Sequence, residues 1–167
     1  MIDIEEKLSD HFKLGEMIKT KYQTPDGNQP PAEAVENLRR ICQEWLEELR
    51  FTYNILYVLL PGEDYETSSD VEGIVISQGY RSPQVSKALK KDGYKPSPTS
   101  NHLTGCAVDI RCAGLEQALR YMVILLDMAH LSKKDFDELY LERHHGYWIH
   151  LAVRPTDNRG NLNLMEG

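Results

Sequence analysis

The chain is poor in cysteine, short of positive charge and without any long apolar run. Cys42, Cys106 and Cys112 are its only thiols, and no two of them form a Cys-x-x-Cys pair. That excludes a disulfide framework and a thiolate-rich metal knot. The three are expected as reduced, mostly buried thiols of a cytoplasmic protein; Cys106 and Cys112 flank Asp109, which makes a stray metal ligand the lesser reading. Nineteen Lys and Arg stand against 26 Asp and Glu, a net charge of −7. This balance leaves no basic face for nucleic-acid phosphates. It also disfavours simple adsorption to an anionic membrane or wall polymer. No apolar stretch nears the roughly 20 residues that span a bilayer, so no membrane span is expected. The opening Met1-Ile2-Asp3-Ile4-Glu5-Glu6 is acidic and lacks the apolar h-region of a secretory signal, which points to a chain that is cytoplasmic as synthesised.

The rest of the composition is that of an ordinary globular chain. With 167 residues, 41% hydrophobic and 27% charged, it fits one domain over 1–167 with a real core. Residues 1–30 read as a weakly patterned lead-in, with Phe12, Leu14, Met17 and Ile18 in one short amphipathic turn or helix. Pro31 opens a helix whose apolar positions run from Val35 to Leu49, ending near Arg50. Residues 51–60 are apolar and aromatic, and their periodicity fits either an extension of that helix or a separate strand. Pro61-Gly62 stops it, and 61–72 reads as an exposed acidic loop.

A strand is expected over Gly73–Ser77. A helix follows, with Ser82 as N-cap and Pro83 at its first position. Cys106–Arg111 reads as a strand. Leu115–His130 reads as a helix with Leu115, Leu119, Met122, Val123, Leu126, Met128 and Ala129 as its apolar positions. Phe136–Glu142 and Trp148–Val153 read as paired strands, and Asn161–Leu164 as a last edge strand. Helices and strands mix without βαβ alternation, so the expected class is α+β, a small antiparallel sheet flanked by helices.

The chemistry concentrates in three places. His102 and Asp109 lie seven residues apart around Gly105, and His150 lies about forty residues further on. Two imidazoles and a carboxylate suffice to hold a catalytic zinc ion with one position left for water. Strand alternation tests whether they converge. Asp109 faces away from Val108 and Ile110, and His150 faces away from Ile149 and Leu151, so both point off the greasier side. Glu138, Tyr140 and Glu142 point the same way from the preceding strand. For both hairpin strands to share a core side, paired positions must sum to an even number. An odd-length connection or a bulge near Gly146 is therefore predicted. Single histidines are more often structural or exposed, and spacing alone leaves both readings open.

The motifs Gly79-Tyr80-Arg81-Ser82-Pro83, Ser100-x-His102-x-x-Gly105-x-Ala107-x-Asp109 and Trp148-Ile149-His150 together resemble the M15 family of zinc peptidases. These are D-alanyl-D-alanine carboxypeptidases, D-Ala-D-Ala dipeptidases and phage endolysins that share the hedgehog/DD-peptidase fold. The resemblance covers most of 8–153. It implies a Zn2+ cofactor on His102, Asp109 and His150, and a peptidoglycan peptide substrate cut near a D-amino acid. It implies that Arg81 binds substrate or stabilises the oxyanion, and that Ser100 is a hydrogen-bond partner in the substrate site. Trp148, on the ligand face, offers a groove wall or a packed core side chain. Many members carry a glutamate three residues before the last ligand, where this chain has Tyr147. Glu142, at the end of the preceding strand, is the first choice for general base, ahead of Glu138 and His145. A monomer is expected, and a phage-type route would release such a protein to the cell wall. The alternative is an inactive zinc-binding module that binds wall peptide or a protein partner.

Overall fold

The segment around Ser82 follows directly from local chemistry. Its Oγ accepts from the Val85 N–H at 3.2 Å. Pro83, which has no amide proton to lose, opens helix α4 (Pro83–Lys91). The computed structural model describes residues 2–166; Met1 and Gly167, the ends of the expected 1–167 span, lie outside them. Before α4 come α1 (Leu14–Met17), α2 (Ala32–Ile41), a π-helical turn (Cys42–Leu46) and α3 (Glu47–Tyr57). Pro31 caps α2 rather than entering it.

The helix expected to end near Arg50 continues to Tyr57, which settles 51–57 as helix. Asn54 explains the extension. Its Nδ2 donates to the carbonyls of Arg50 (2.7 Å) and Glu72 (2.9 Å), and its Oδ1 accepts from Glu72 N–H at 2.7 Å. These bonds tie the 61–72 loop, exposed along most of its length, back to the helix. The lead-in is also less loose than its composition suggests. Leu8, Phe12, Leu14 and Met17 are at most 2% exposed and belong to the main core.

The longest helix is α5 (Leu115–Leu131). Its buried positions are Ala118, Tyr121, Met122, Ile124, Leu125 and Met128, whereas Leu115, Leu119 and Val123 are exposed. A helix with apolar residues on several sides gives periodicity no single face to select. All three cysteines are free and buried. No helix among the described residues is long and apolar enough to cross a membrane.

The strands are β1 (Val75–Gln78), β2 (Ala107–Cys112), β3 (Glu138–Arg143), β4 (Tyr147–Ala152) and β5 (Asn161–Glu166), in spatial order β1-β2-β4-β3-β5. Between β3 and β4 the predicted odd connection is present. Arg143 pairs with Tyr147 and Glu142 with Trp148, leaving His144-His145-Gly146 as a three-residue turn. His145 (φ 53) and Gly146 (φ 147) take the positive φ values this turn requires.

The sheet is mixed, which corrects the antiparallel expectation. β5 lies on the far edge of β3 and runs parallel to it, with Asn161 beside Glu138. The reason is the path of the tail. β4 ends at Ala152, opposite Glu138. The next segment crosses to the other side of β3 at that same end, where Gly160 N–H donates to Phe136 O (2.9 Å) and Asn161 N–H to Asp137 O (3.0 Å). A strand starting there can only run alongside β3 in the same direction. One sheet face, with Ile76, Val108, Ile110, Leu139, Leu141, Ile149 and Leu151, is buried in the main core, and α5 contacts β2, β3 and β4. The other face carries the candidate ligands.

Candidate metal centre

Register brings the distant ligands together. Asp109 on β2 sits directly opposite His150 on β4, in the middle of the sheet. His102 approaches from the 3-10 turn Asn101–Thr104 that leads into β2. Ser100 caps this turn, its Oγ accepting from His102 N–H at 3.4 Å. Gly105 ends it at φ +70, where an added Cβ would lie 2.3 Å from the Ala34 carbonyl. Glycine therefore lets the turn lie against α2 and re-aim the chain into β2.

The ligating atoms are close enough for one ion. His102 Nε2 lies 3.3 Å and His150 Nδ1 2.9 Å from Asp109 Oδ1. Donor atoms around one tetrahedral zinc are about 3.3 Å apart for bonds near 2.0 Å. His102, Asp109 and His150 form a group that can hold a metal ion, with one atom from each within 4.8 Å of the others. Burial alone would raise the Asp109 carboxyl. The charge of His102 and the hydrogen bonds from both imidazoles override it and hold Asp109 well below the usual carboxylate range.

Each imidazole is aimed by its other nitrogen. His102 Nδ1–H donates to the Gly79 carbonyl at 2.7 Å, leaving Nε2 toward Asp109. In return Arg81 N–H donates to the His102 carbonyl at 3.0 Å. Gly79 permits this because its backbone runs against Met17, whose carbonyl would lie 2.3 Å from an added Cβ. His150 Nε2–H donates to Glu138 Oε2 at 2.8 Å, leaving Nδ1 toward Asp109. Tyr140 stacks on the same ring, 5.4 Å between centroids at 22°. Burial would lower the His150 pKa, but bonds to Asp109 and Glu138 push it up to about 10.

A cleft of about 340 Å³ opens beside these residues, with Arg81, Asp109, Glu142, Trp148, Tyr94 and Lys95 in its lining. Glu142 is half-buried there, and burial, then the Asp109 charge, raise its carboxyl above the ordinary value. Arg81 is 8% exposed. Its Nη1 reaches Gln78 Oε1 only at 3.5 Å, and its Nε–H has no partner among the described residues. A buried guanidinium short of acceptors is a ready partner for a carbonyl or carboxylate oxygen. Trp148 is half-buried and forms a cleft wall. Ser100 is not in this lining; it caps the turn and borders a different cavity of about 430 Å³.

Tyr147 packs against the core side of the sheet. In a regular strand, the residue three before His150 faces away from it. An acid in this cleft therefore has to come from a neighbouring strand, as Glu142 does opposite Trp148. Glu138, the less favoured base, is occupied by His150. Its Oε2 also accepts from Asn101 Nδ2 at 3.1 Å, and its Oε1 from Arg159 Nη2 at 2.6 Å. His145 is an exposed residue of the hairpin turn.

Sequence reasoning missed the supporting cast. Asn28, 1% exposed, donates to the carbonyls of Ile18 (2.7 Å) and Tyr80 (3.1 Å) and accepts from Ser82 N–H (2.7 Å), so it fixes the backbone on both sides of Arg81. Its signal was Asp26-Gly27-Asn28, a turn sequence that also admits the positive φ of 53 found at Asn28. Asp137, Asn101 and Arg159 carried no comparable signal. Comparison of the chain with protein-family models, with curated proteins and with solved structures yields no match.

Proposed function

We propose that this protein is a zinc-dependent peptidase, and that its sheet and ligand layout belong to the hedgehog/DD-peptidase architecture implied by its motifs. The carrying observation is that His102, Asp109 and His150 gather beside a cleft that also holds Glu142 and Arg81. Two imidazole nitrogens and one carboxylate oxygen suit zinc, and such a three-ligand set leaves a position for chemistry. Zinc held by these three residues would supply a water of pKa about 7 and a Lewis acid for the carbonyl.

The chain's own residues do the rest. Glu142, with its carboxyl raised by burial and by Asp109, accepts the proton of the attacking water and returns it to the leaving nitrogen. The Arg81 guanidinium, which lines the cleft and is short of acceptors, donates to the carbonyl oxygen as negative charge builds on it, a contribution of about 3 kcal/mol in comparable sites. Trp148 and Tyr94 give the cleft apolar surface, and Lys95 adds a second cation to its lining. That mixture suits a short peptide carrying a carboxylate. The substrate class, a peptidoglycan peptide cut near a D-amino acid, is taken from the motif resemblance.

The test is release of amino acid or peptide from peptidoglycan and from D-Ala-D-Ala-terminated peptides, with and without chelator. Hydrolysis that chelator stops and zinc restores is expected. Glu142→Gln should keep one zinc per chain and lose roughly 10²- to 10⁴-fold in rate. An unchanged rate would move the base elsewhere. Zinc bound without any hydrolysis would leave the inactive binding module instead.

A further inference from the structure

We infer that Glu138 is a positioning residue that selects Nδ1 of His150 as the metal-facing nitrogen, and that Arg159 holds Glu138 in place to do so. The inference rests on the metal reading above and adds to it a dependence on a remote part of the chain.

The geometry is continuous from the ligand outward. Glu138 Oε2 accepts from His150 Nε2–H at 2.8 Å. The same carboxylate is fixed from two further directions, by Asn101 Nδ2 on Oε2 (3.1 Å) and by Arg159 Nη2 on Oε1 (2.6 Å). Arg159 is in turn clamped by Asp137, which is fully buried. Its Nε donates to Oδ1 at 2.9 Å and its Nη2 to Oδ2 at 2.6 Å, a two-pronged pairing that fixes the guanidinium plane. Asn101 Nδ2 also donates to Asp137 Oδ2 at 2.7 Å, and Arg154 Nε lies 3.2 Å from that oxygen. The network joins the His102 turn, the start of β3 and the crossing segment before β5. Among the side chains of the described residues, its link to the metal ligands is the Glu138–His150 bond.

An imidazole ring that keeps its place in a strand can still carry its proton on either nitrogen, and can turn Nδ1 away by rotating about its Cβ–Cγ bond. A fixed carboxylate on Nε2 removes that freedom, because Nε2 then holds the proton and Nδ1 keeps its lone pair for the ion. Losing such a support typically weakens metal binding roughly 10- to 100-fold. Arg159, nearly half exposed and nine residues beyond His150 in the sequence, would then affect the ion without touching it or the cleft.

The experiment measures zinc affinity by chelator competition, together with the ring ¹H–¹⁵N NMR signals of His150, in the unsubstituted chain and in Glu138→Ala, Glu138→Gln and Arg159→Gln. The zinc-loaded wild type should show a protected Nε2–H and no proton on Nδ1. Glu138→Ala should lose that protection and bind zinc roughly 10- to 100-fold more weakly. Glu138→Gln offers an amide oxygen to the same N–H and should recover most of the affinity. Arg159→Gln should give a smaller loss in the same direction, and serves as the reading if Glu138→Ala does not fold. Wild-type affinity and an unchanged Nε2–H in Glu138→Ala and Arg159→Gln would overturn the inference while leaving the metal assignment intact. A wild type that binds no zinc would overturn the metal assignment itself, and with it this dependence.

Discussion

The two imidazoles of the candidate metal centre are held by different materials. His102 is aimed by main chain: its Nδ1–H meets the Gly79 carbonyl, and its own carbonyl takes the Arg81 N–H. His150 is aimed by side chains, through Glu138 to Arg159 and Asp137. A main-chain carbonyl exists whatever residue supplies it, so the first arrangement is set by where the backbone runs. A carboxylate exists only where the sequence puts one, so the second can be adjusted one residue at a time. One half of the centre is therefore rigid and motif-coded, and the other is tunable and scattered along the chain.

The bluntest way to break this comparison is to remove a ligand. His102→Ala should abolish stoichiometric zinc, measured by elemental analysis, and hydrolysis with it. Retention of both would remove the centre from this site. Proton competition gives the next largest effect. The proton on Nδ1 of His150 and a cation compete for one lone pair, and Asp109 and Glu138 raise that proton's pKa to about 10 against the pull of burial. Zinc affinity should therefore climb about tenfold per pH unit below that value, read by chelator competition. The sign for stability runs the other way. A pKa raised above the ordinary 6.5 stabilises the zinc-stripped fold below pH 6.5, and that gain is lost as pH rises through about 10.

The smallest effect sharpens the contrast most. Gly79→Ala would push a Cβ into the Met17 carbonyl. It should cost about 1–3 kcal/mol of stability by denaturant melt and weaken zinc by displacing the carbonyl that aims His102. If instead zinc affinity held firm while stability fell, the main-chain support would matter for folding alone.

Legibility in the sequence divides along the same line. Period-2 alternation placed Asp109 and His150 on one face, and parity demanded the odd turn between Glu142 and Trp148, because both are local rules of a strand. Ser82-Pro83 announced a helix start for equally local reasons. The parallel β5 was not legible, because its direction depends on where the tail crosses β3, which the buried Asp137 and its arginines help to fix. The continuation of α3 past Arg50 was ambiguous because the bonds that secure it run from Asn54 to Glu72, eighteen residues away. Asn28 and Arg159 were passed over for the same reason: polar residues in loops have no periodicity to betray a buried partner.

The two bonds between the Gly79–Arg81 segment and His102, one from the imidazole to the Gly79 carbonyl and one from the Arg81 amide to the His102 carbonyl, have one more effect. They join the backbone that carries Arg81 to the His102 imidazole, and Asn28 braces the same segment. On the proposed peptidase reading, a substrate of different girth would find little give in that segment. More give would be expected from the rest of the lining, the Tyr94–Pro96 segment and the Trp148 ring, so breadth of selectivity should be sought, and engineered, there.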